Sequence, residues 1–171
     1  MGRRQLTRPV ALAIVAALLL GAAVVAVRTW VVEPVVVASD SMEPTVAEGS
    51  TVLVARWSAA SVDPGQLAVI RSPDDGRSVL KRVVAVAGQT VVIRDGVVHV
   101  DEVALAEPYV DPRGVDGTFF RQVEVPAGHV YVLGDNRATS VDSRDFGPVP
   151  LDDVIGTVLW APCRGVSRGR R

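Results

Sequence analysis

Thr90-Val91-Val92-Ile93-Arg94-Asp95-Gly96-Val97-Val98-His99-Val100 is two short apolar runs joined by Asp-Gly. β-Branched side chains fill both runs, and Asp-Gly supplies the positive φ angles of a tight hairpin turn. The stretch predicts two strands, Thr90–Arg94 and Val97–Val100. The same pattern of Val, Ile and Leu clusters between Gly, Pro and Asp recurs on both sides. It predicts further strands at Val35–Ala38, Thr51–Arg56, Leu67–Arg71, Val79–Val86, Phe119–Val125, His129–Leu133 and Val154–Trp160. Helical periodicity is not sustained anywhere after residue 28. Many short strands without intervening helices predict a compact all-β domain, a barrel or sandwich, over residues 29–163. Polar residues concentrate in the loops Ser72–Ser78, Asp111–Gly117 and Asn136–Pro150.

A chain of 171 residues suits one such domain plus an appendage. From Pro9 to Val27 there are nineteen residues without a charge, long enough to cross a bilayer. Arg3, Arg4 and Arg8 precede this stretch, and Arg28, Trp30 and Glu33 follow it. By the positive-inside rule residues 1–8 stay in the cytoplasm, 9–28 form one transmembrane helix, and the domain is exported across the plasma membrane. A cleavable signal peptide is the competing reading. Its apolar core would be longer than the usual ~7–15 residues, and Ala22-Ala23-Val24-Val25-Ala26-Val27 is a poor small-residue cleavage site.

Residues 30–163 carry ten basic and nineteen acidic side chains, a balance that argues against a nucleic-acid partner. The basic tail 164–171 reads as a solvated end able to touch anionic headgroups. Cys163 is the only cysteine, so no internal disulfide forms. With His99 and His129 the only histidines, no metal site of familiar spacing assembles, and no cofactor is implied.

Lys81 is the only lysine, set against seventeen arginines, in Val79-Leu80-Lys81-Arg82-Val83-Val84. A compositional preference for arginine explains why lysine is scarce, but not why one stands among valines. Arginine stays protonated in proteins, whereas a buried lysine can lose its proton and act as a base. A serine hydroxyl needs such a base to become a nucleophile. His99 lies in a strand-like run and His129 follows a Pro-Ala-Gly turn, and neither shares a loop with a candidate serine. The base is therefore expected to be Lys81. The serines stand out in Ser39-Asp40-Ser41-Met42-Glu43-Pro44-Thr45, a dozen residues beyond the apolar helix. A third polar cluster runs from Gly134 to Gly147 between an apolar strand and a Gly-Pro break. There Asp142 and Arg144 can pair to brace the loop, and Ser140 can hold a nearby amine.

These segments together resemble the bacterial type I signal peptidases, membrane-bound Ser/Lys proteases that remove signal peptides from exported proteins. The resemblance spans nearly the whole chain. It rests on the N-terminal apolar helix, Ser41-Met42-Glu43-Pro44-Thr45, residues 63–73, residues 79–91, Glu107-Pro108-Tyr109-Val110 and residues 125–147. The most specific part is G-D-N-R-x-x-S-x-D-S-R-x-x-G at 134–147. The resemblance implies a Ser41 nucleophile and a Lys81 general base. It also implies that Ser140 orients the lysine, Asp142 and Arg144 support the loop, and the Ser39 hydroxyl joins the Ser41 N–H in an oxyanion hole. The implied partners are preprotein signal peptides and the lipid bilayer.

The physics of those roles is consistent. Lys81 must be neutral to take the Ser41 proton, and the apolar residues Val79, Leu80, Val83 and Val84 are placed to desolvate it. The chain departs from the family pattern at Asp40, where Gly is usual between the serines. On a strand Asp40 would point away from both serines; a turned backbone would bring a carboxylate toward Lys81. Gln66 replaces a common acid, Ala87-Gly88-Gln89 replaces a frequent Pro-Gly-Asp, and any accessory β-domain must be small or absent. Two other readings compete: a specialised processing peptidase with a few dedicated substrates, and an inactive tethered domain that binds signal sequences. The self-cleaving SOS repressors share a Ser/Lys pair, but the apolar helix argues against a cytosolic DNA-associated role.

Overall fold

A computed structural model describes residues 8–56, 62–111 and 119–162. Arg3, Arg4, Cys163, the 164–171 tail and residues 112–117 of the Asp111–Gly117 loop lie outside the described residues, as do the side chains of Arg8, Arg28 and Trp30.

The chain starts with helix α1, Arg8–Val31. Side chains within it are described for Pro9, Val10 and residues 12–23, where Leu12, Ile14, Val15, Leu18, Leu19 and Leu20 are all exposed. Among the described residues no helix is long and apolar enough to cross a membrane.

Eleven strands follow: β1 Val32–Val36, β2 Thr51–Ala55, β3 Leu67–Arg71, β4 Ser78–Val86, β5 Thr90–Arg94, β6 Val97–Val100, β7 Val103–Ala104, β8 Phe120–Glu124, β9 His129–Leu133, β10 Val149–Pro150 and β11 Val154–Trp160. All their pairings are antiparallel. One sheet has the order β1-β2-β11-β3-β4-β9-β10, and a second, smaller sheet has the order β7-β6-β5-β8. The second sheet is built around the Asp95-Gly96 hairpin, with Asp95 at φ 50° and Gly96 at φ 75°. It is the small accessory element that the chain length leaves room for.

The main sheet is open at β1 and β10, so the fold is a sandwich and not a closed barrel. Val84, Ala85, Tyr131 and Leu133 of the main sheet pack against Val91, Ile93 and Val98 of the small one. On the other faces lie two further cores, one around Ile70, Val83, Val130 and Val132, the other around Met42, Val46, Val52, Val54, Val69 and Leu80. β4 is buried along most of its length because it meets all three.

Several details differ from the sequence expectation. The first strand is Val32–Val36 and not Val35–Ala38, because α1 runs on to Val31 and β1 pairs from Val32 with Ala55. Ser39–Val46 is a series of turns, with Glu43 N donating to Asp40 O and Val46 N to Met42 O; the Glu43–Pro44 peptide is cis. β7, β10 and α2 (Ser143–Phe146) were not expected; each is four residues or fewer, too short to show a period.

Candidate active site

Where β9 stops decides where Lys81 opens onto the site. β4 pairs with β3 from Ser78 to Arg82 and with β9 only from Arg82 onward. Lys81 sits opposite Ala68 on one side, while on the other β9 has ended at Leu133, which is opposite Arg82. The chain leaves β9 through Gly134 and turns back through 135–142. This return brings Ser140 to Lys81: Nζ donates to Ser140 Oγ at 2.9 Å.

Gly134 is required by packing. A Cβ built on it would lie 2.2 Å from Ser140 Oγ and 2.7 Å from the Ser41 carbonyl oxygen. Both oxygens therefore crowd the Gly134 α-carbon, and only a hydrogen atom fits at that position. The Asn136 N–H donates to the same Ser41 carbonyl at 3.0 Å, and Ser140 N donates to Asn136 O. Ser41, Lys81 and Ser140 are gathered in this way from three distant segments. All three are buried, Lys81 to 3 % exposure. Ser39 is more open, and its hydroxyl donates to Ser41 Oγ at 3.2 Å. Among the described residues, the hydrogen bond of Lys81 Nζ is to Ser140 and that of Ser41 Oγ is to Ser39.

Burial holds the Lys81 amine below its ordinary pKa of 10.5; the Asp142 charge opposes this and Arg144 assists it. Among the described residues Lys81 makes no salt bridge, and the acid that acts most on it, Asp142, is engaged elsewhere. Asp142, at 0 % exposure, accepts Gly134 N on Oδ2 at 2.9 Å and Arg144 Nε on Oδ1 at 2.9 Å. It also caps α2 reciprocally with Asp145. Arg144 Nη2 continues to the Ser140 carbonyl at 3.1 Å. Asp142 and Arg144 thus tie the end of β9 to the turn that carries Ser140.

Asp40 is exposed, and its carboxylate lies 3.5 Å from both Asn136 Nδ2 and Thr139 Oγ1. Strand alternation does not explain this, since the segment is turned. The outer face of the 136–139 loop takes the carboxylate. His99 and His129 each bond only a nearby backbone carbonyl, Val97 O and Ala127 O.

Sequence reasoning gave no role to the ion pairs beneath the loop. Arg82 binds Asp135 in a bidentate pair at 2.8 and 2.6 Å, donates to Gly65 O, and stacks 3.8 Å above the Tyr109 ring. Arg137 donates Nε to Gly134 O at 2.9 Å and pairs with Glu107, which also accepts from Tyr109 Oη. The alternation of charge in Asp135-Asn136-Arg137 directly after an apolar strand was the available signal.

A model of the family described as "Signal peptidase, peptidase S26" matches residues 8–161. The chain is 36% identical over 144 residues to a probable signal peptidase I-1 of Synechocystis sp., covering 78% of this chain and 72% of that protein. It is 30% identical over 166 residues to signal peptidase I U of Bacillus subtilis, covering 91% and 87%. Among solved structures, a signal peptidase I from Enterococcus faecalis V583 matches with a TM-score of 0.51 at 31% identity, covering 57% of this chain and 96% of that one. The chain belongs to the signal peptidase family, peptidase S26, and is a serine-peptidase hydrolase of that family.

Proposed function

We propose that this protein is a membrane-anchored endopeptidase that removes N-terminal signal peptides from exported preproteins, with Ser41 as nucleophile and Lys81 as general base. The observation that carries the reading is the buried Lys81 amine, depressed in pKa and hydrogen-bonded to Ser140, on the loop that Asn136 ties to the Ser41 carbonyl. Neutral Lys81 takes the proton from Ser41 Oγ as the oxygen attacks the scissile carbonyl carbon. The developing oxyanion is met by the Ser41 N–H and the Ser39 hydroxyl, a contribution of ~3–4 kcal/mol in comparable sites. The C–N bond breaks, the lysine proton passes to the leaving amine, and water then hydrolyses the acyl-serine with Lys81 again as base. Ser140 orients the amine, and Asp142 with Arg144 holds Ser140 in place.

An apolar groove of about 250 Å³ supports the substrate assignment. Val52, Val69 and Leu80 line it, with Val37 and Ser39 on one rim and Ser78 on the other. Among the described residues, β4 before Arg82 pairs with β3 alone, which leaves its other edge open to an extended peptide. Shallow apolar pockets favour the small residues that precede signal-peptide cut sites.

Residues 9–28 form the signal anchor in this reading, with 1–8 cytoplasmic, 29–163 the extracytoplasmic peptidase and 164–171 a basic tail. Support comes from the nineteen uncharged residues, the arginines before them, and the exposure of seven large apolar side chains among those described on α1.

Cleavage of a preprotein with an Ala-x-Ala site by the full-length protein in liposomes tests the proposal. Wild type cuts, while Ser41→Ala and Lys81→Ala do not. Activity surviving in Lys81→Ala would overturn the base assignment. No cleavage by wild type would sink the peptidase reading.

A further inference from the structure

Two cavities adjoin the segments that carry Ser41 and Lys81, one lined mainly by apolar residues and the other mainly by polar ones. Along the first segment, Ser39 lines the apolar groove, Ser41 follows, and Glu43 and Pro44 line a separate polar cavity of about 220 Å³. Along β4 the order repeats. Leu80 lines the groove, Lys81 follows, and Arg82 grips Asp135 in the wall of the polar cavity. The remaining walls are Asp111, Asn136 and Arg137, and the Asn136 N–H holds the Ser41 carbonyl. Ser41 and Lys81 are thus each followed within two residues by one that lines the polar cavity or grips its wall.

We infer that the polar cavity is the subsite for the residues just after the cut, the first residues of the mature chain, and that Glu43 selects cationic over anionic side chains there. The inference rests on the peptidase reading. A peptide cleaved at Ser41 with its small apolar residues in the groove must leave the cluster on the opposite side. The polar cavity adjoins the Ser41 carbonyl through Asn136, and its walls suit polar groups. Its internal charges are mostly compensated: Asp135 by Arg82, Arg137 by Glu107. Glu43 is the exception. It is exposed, and among the described residues its carboxylate has no hydrogen bond or ion pair. Its charge is left to act on whatever enters. Mature segments beginning with Lys or Arg fit this field, and those beginning with Asp or Glu oppose it.

The test uses full-length protein in detergent micelles and two preproteins identical through the Ala-x-Ala site. One carries Lys and the other Glu at the second residue after the cut. Wild type is expected to favour the Lys substrate in kcat/KM by about threefold, the scale of an exposed ion pair. Glu43→Lys is expected to reverse the preference, and raising salt to 1 M to erase it in both proteins. A ratio that stays the same in wild type and Glu43→Lys overturns the subsite while leaving the peptidase reading standing. Failure of wild type to cleave either substrate overturns both. Because Glu43 is exposed, its substitution leaves the fold intact, and because the readout is a ratio, a uniform loss of activity does not mimic it.

Discussion

Lys81 Nζ donates to Ser140 Oγ across 2.9 Å, although the two residues stand fifty-nine positions apart in the chain. This contact links the central strand to the loop that returns from β9. It aims the amine along one direction, on which the proposed role of Lys81 as the base for Ser41 depends. Ser140→Ala removes the contact and leaves the loop backbone in place. We expect kcat to fall by about a hundredfold with KM little changed, a loss within the usual range for proton transfer. Steady-state kinetics on a preprotein substrate checks it, and a change confined to KM would contradict the orienting role.

The pH dependence follows from the lowered Lys81 pKa. Only neutral lysine accepts the Ser41 proton, so kcat/KM rises with pH through a limb set below 10.5. Lys81→Arg is expected to be inactive at every pH tested, because a guanidinium does not release its proton. Stability carries the opposite side of the same linkage. The folded pKa lies below the unfolded one, so between the two values the unfolded chain binds the extra proton, and wild-type stability rises with pH across that window. Lys81→Met escapes this penalty. Denaturant titrations should find it more stable than wild type near neutrality, with the difference closing as pH approaches 10.5.

Asp142 has no exposed surface and holds Gly134, Arg144 and the first turn of α2 at once. Asp142→Ala leaves the Arg144 guanidinium half-buried without its acid. A loss of about 3–5 kcal/mol in unfolding free energy is expected, the scale for breaking a buried pair from one side. Urea denaturation measures this. A loss below 1 kcal/mol would mean that the loop is held by other contacts.

At Gly134 a single methyl group separates folding from function. Gly134→Ala puts carbon 2.2 Å from Ser140 Oγ and 2.7 Å from Ser41 O, so at least one of them moves. Overpacking of this kind costs about 1–3 kcal/mol. Activity should fall far more than stability, by more than a hundredfold, since ~1 Å of misplacement is enough for such a loss. Paired thermal melts and preprotein cleavage assays separate the two.

The strands that were legible in advance are the ones whose burial follows a pattern. Leu67–Arg71, Thr90–Arg94, Val97–Val100, His129–Leu133 and Val154–Trp160 are found at the expected bounds. The Ser39–Val46 segment was harder, because Val37, Met42 and Val46 are buried at turn spacing and imitate an irregular strand. α2 is one turn long, yet Asp142 and Asp145 form a capping box that three-residue spacing does betray. Residue types pointed to Ser41, Lys81 and Ser140, but nothing in their spacing revealed that Ser140 and the Ser41 carbonyl both crowd Gly134. The Arg82–Asp135 and Arg137–Glu107 pairs were invisible for the same reason: contacts across fifty-three and thirty positions leave no periodic trace.

The bidentate grip of Arg82 on Asp135 gives the strand a registration pin. Lys81 and Arg82 are adjacent cations on a strand whose side chains alternate between faces, so a slip of one residue would exchange them. A guanidinium would then stand where a labile proton is needed, and the amine would be spent on a static ion pair. Net charge, composition and buried area would all be unchanged, and the molecule would be chemically silent. By fastening the permanent cation to Asp135 and roofing it with Tyr109, the fold leaves only one way to seat the exchangeable one. For this strand, correct pairing and chemical competence are a single event.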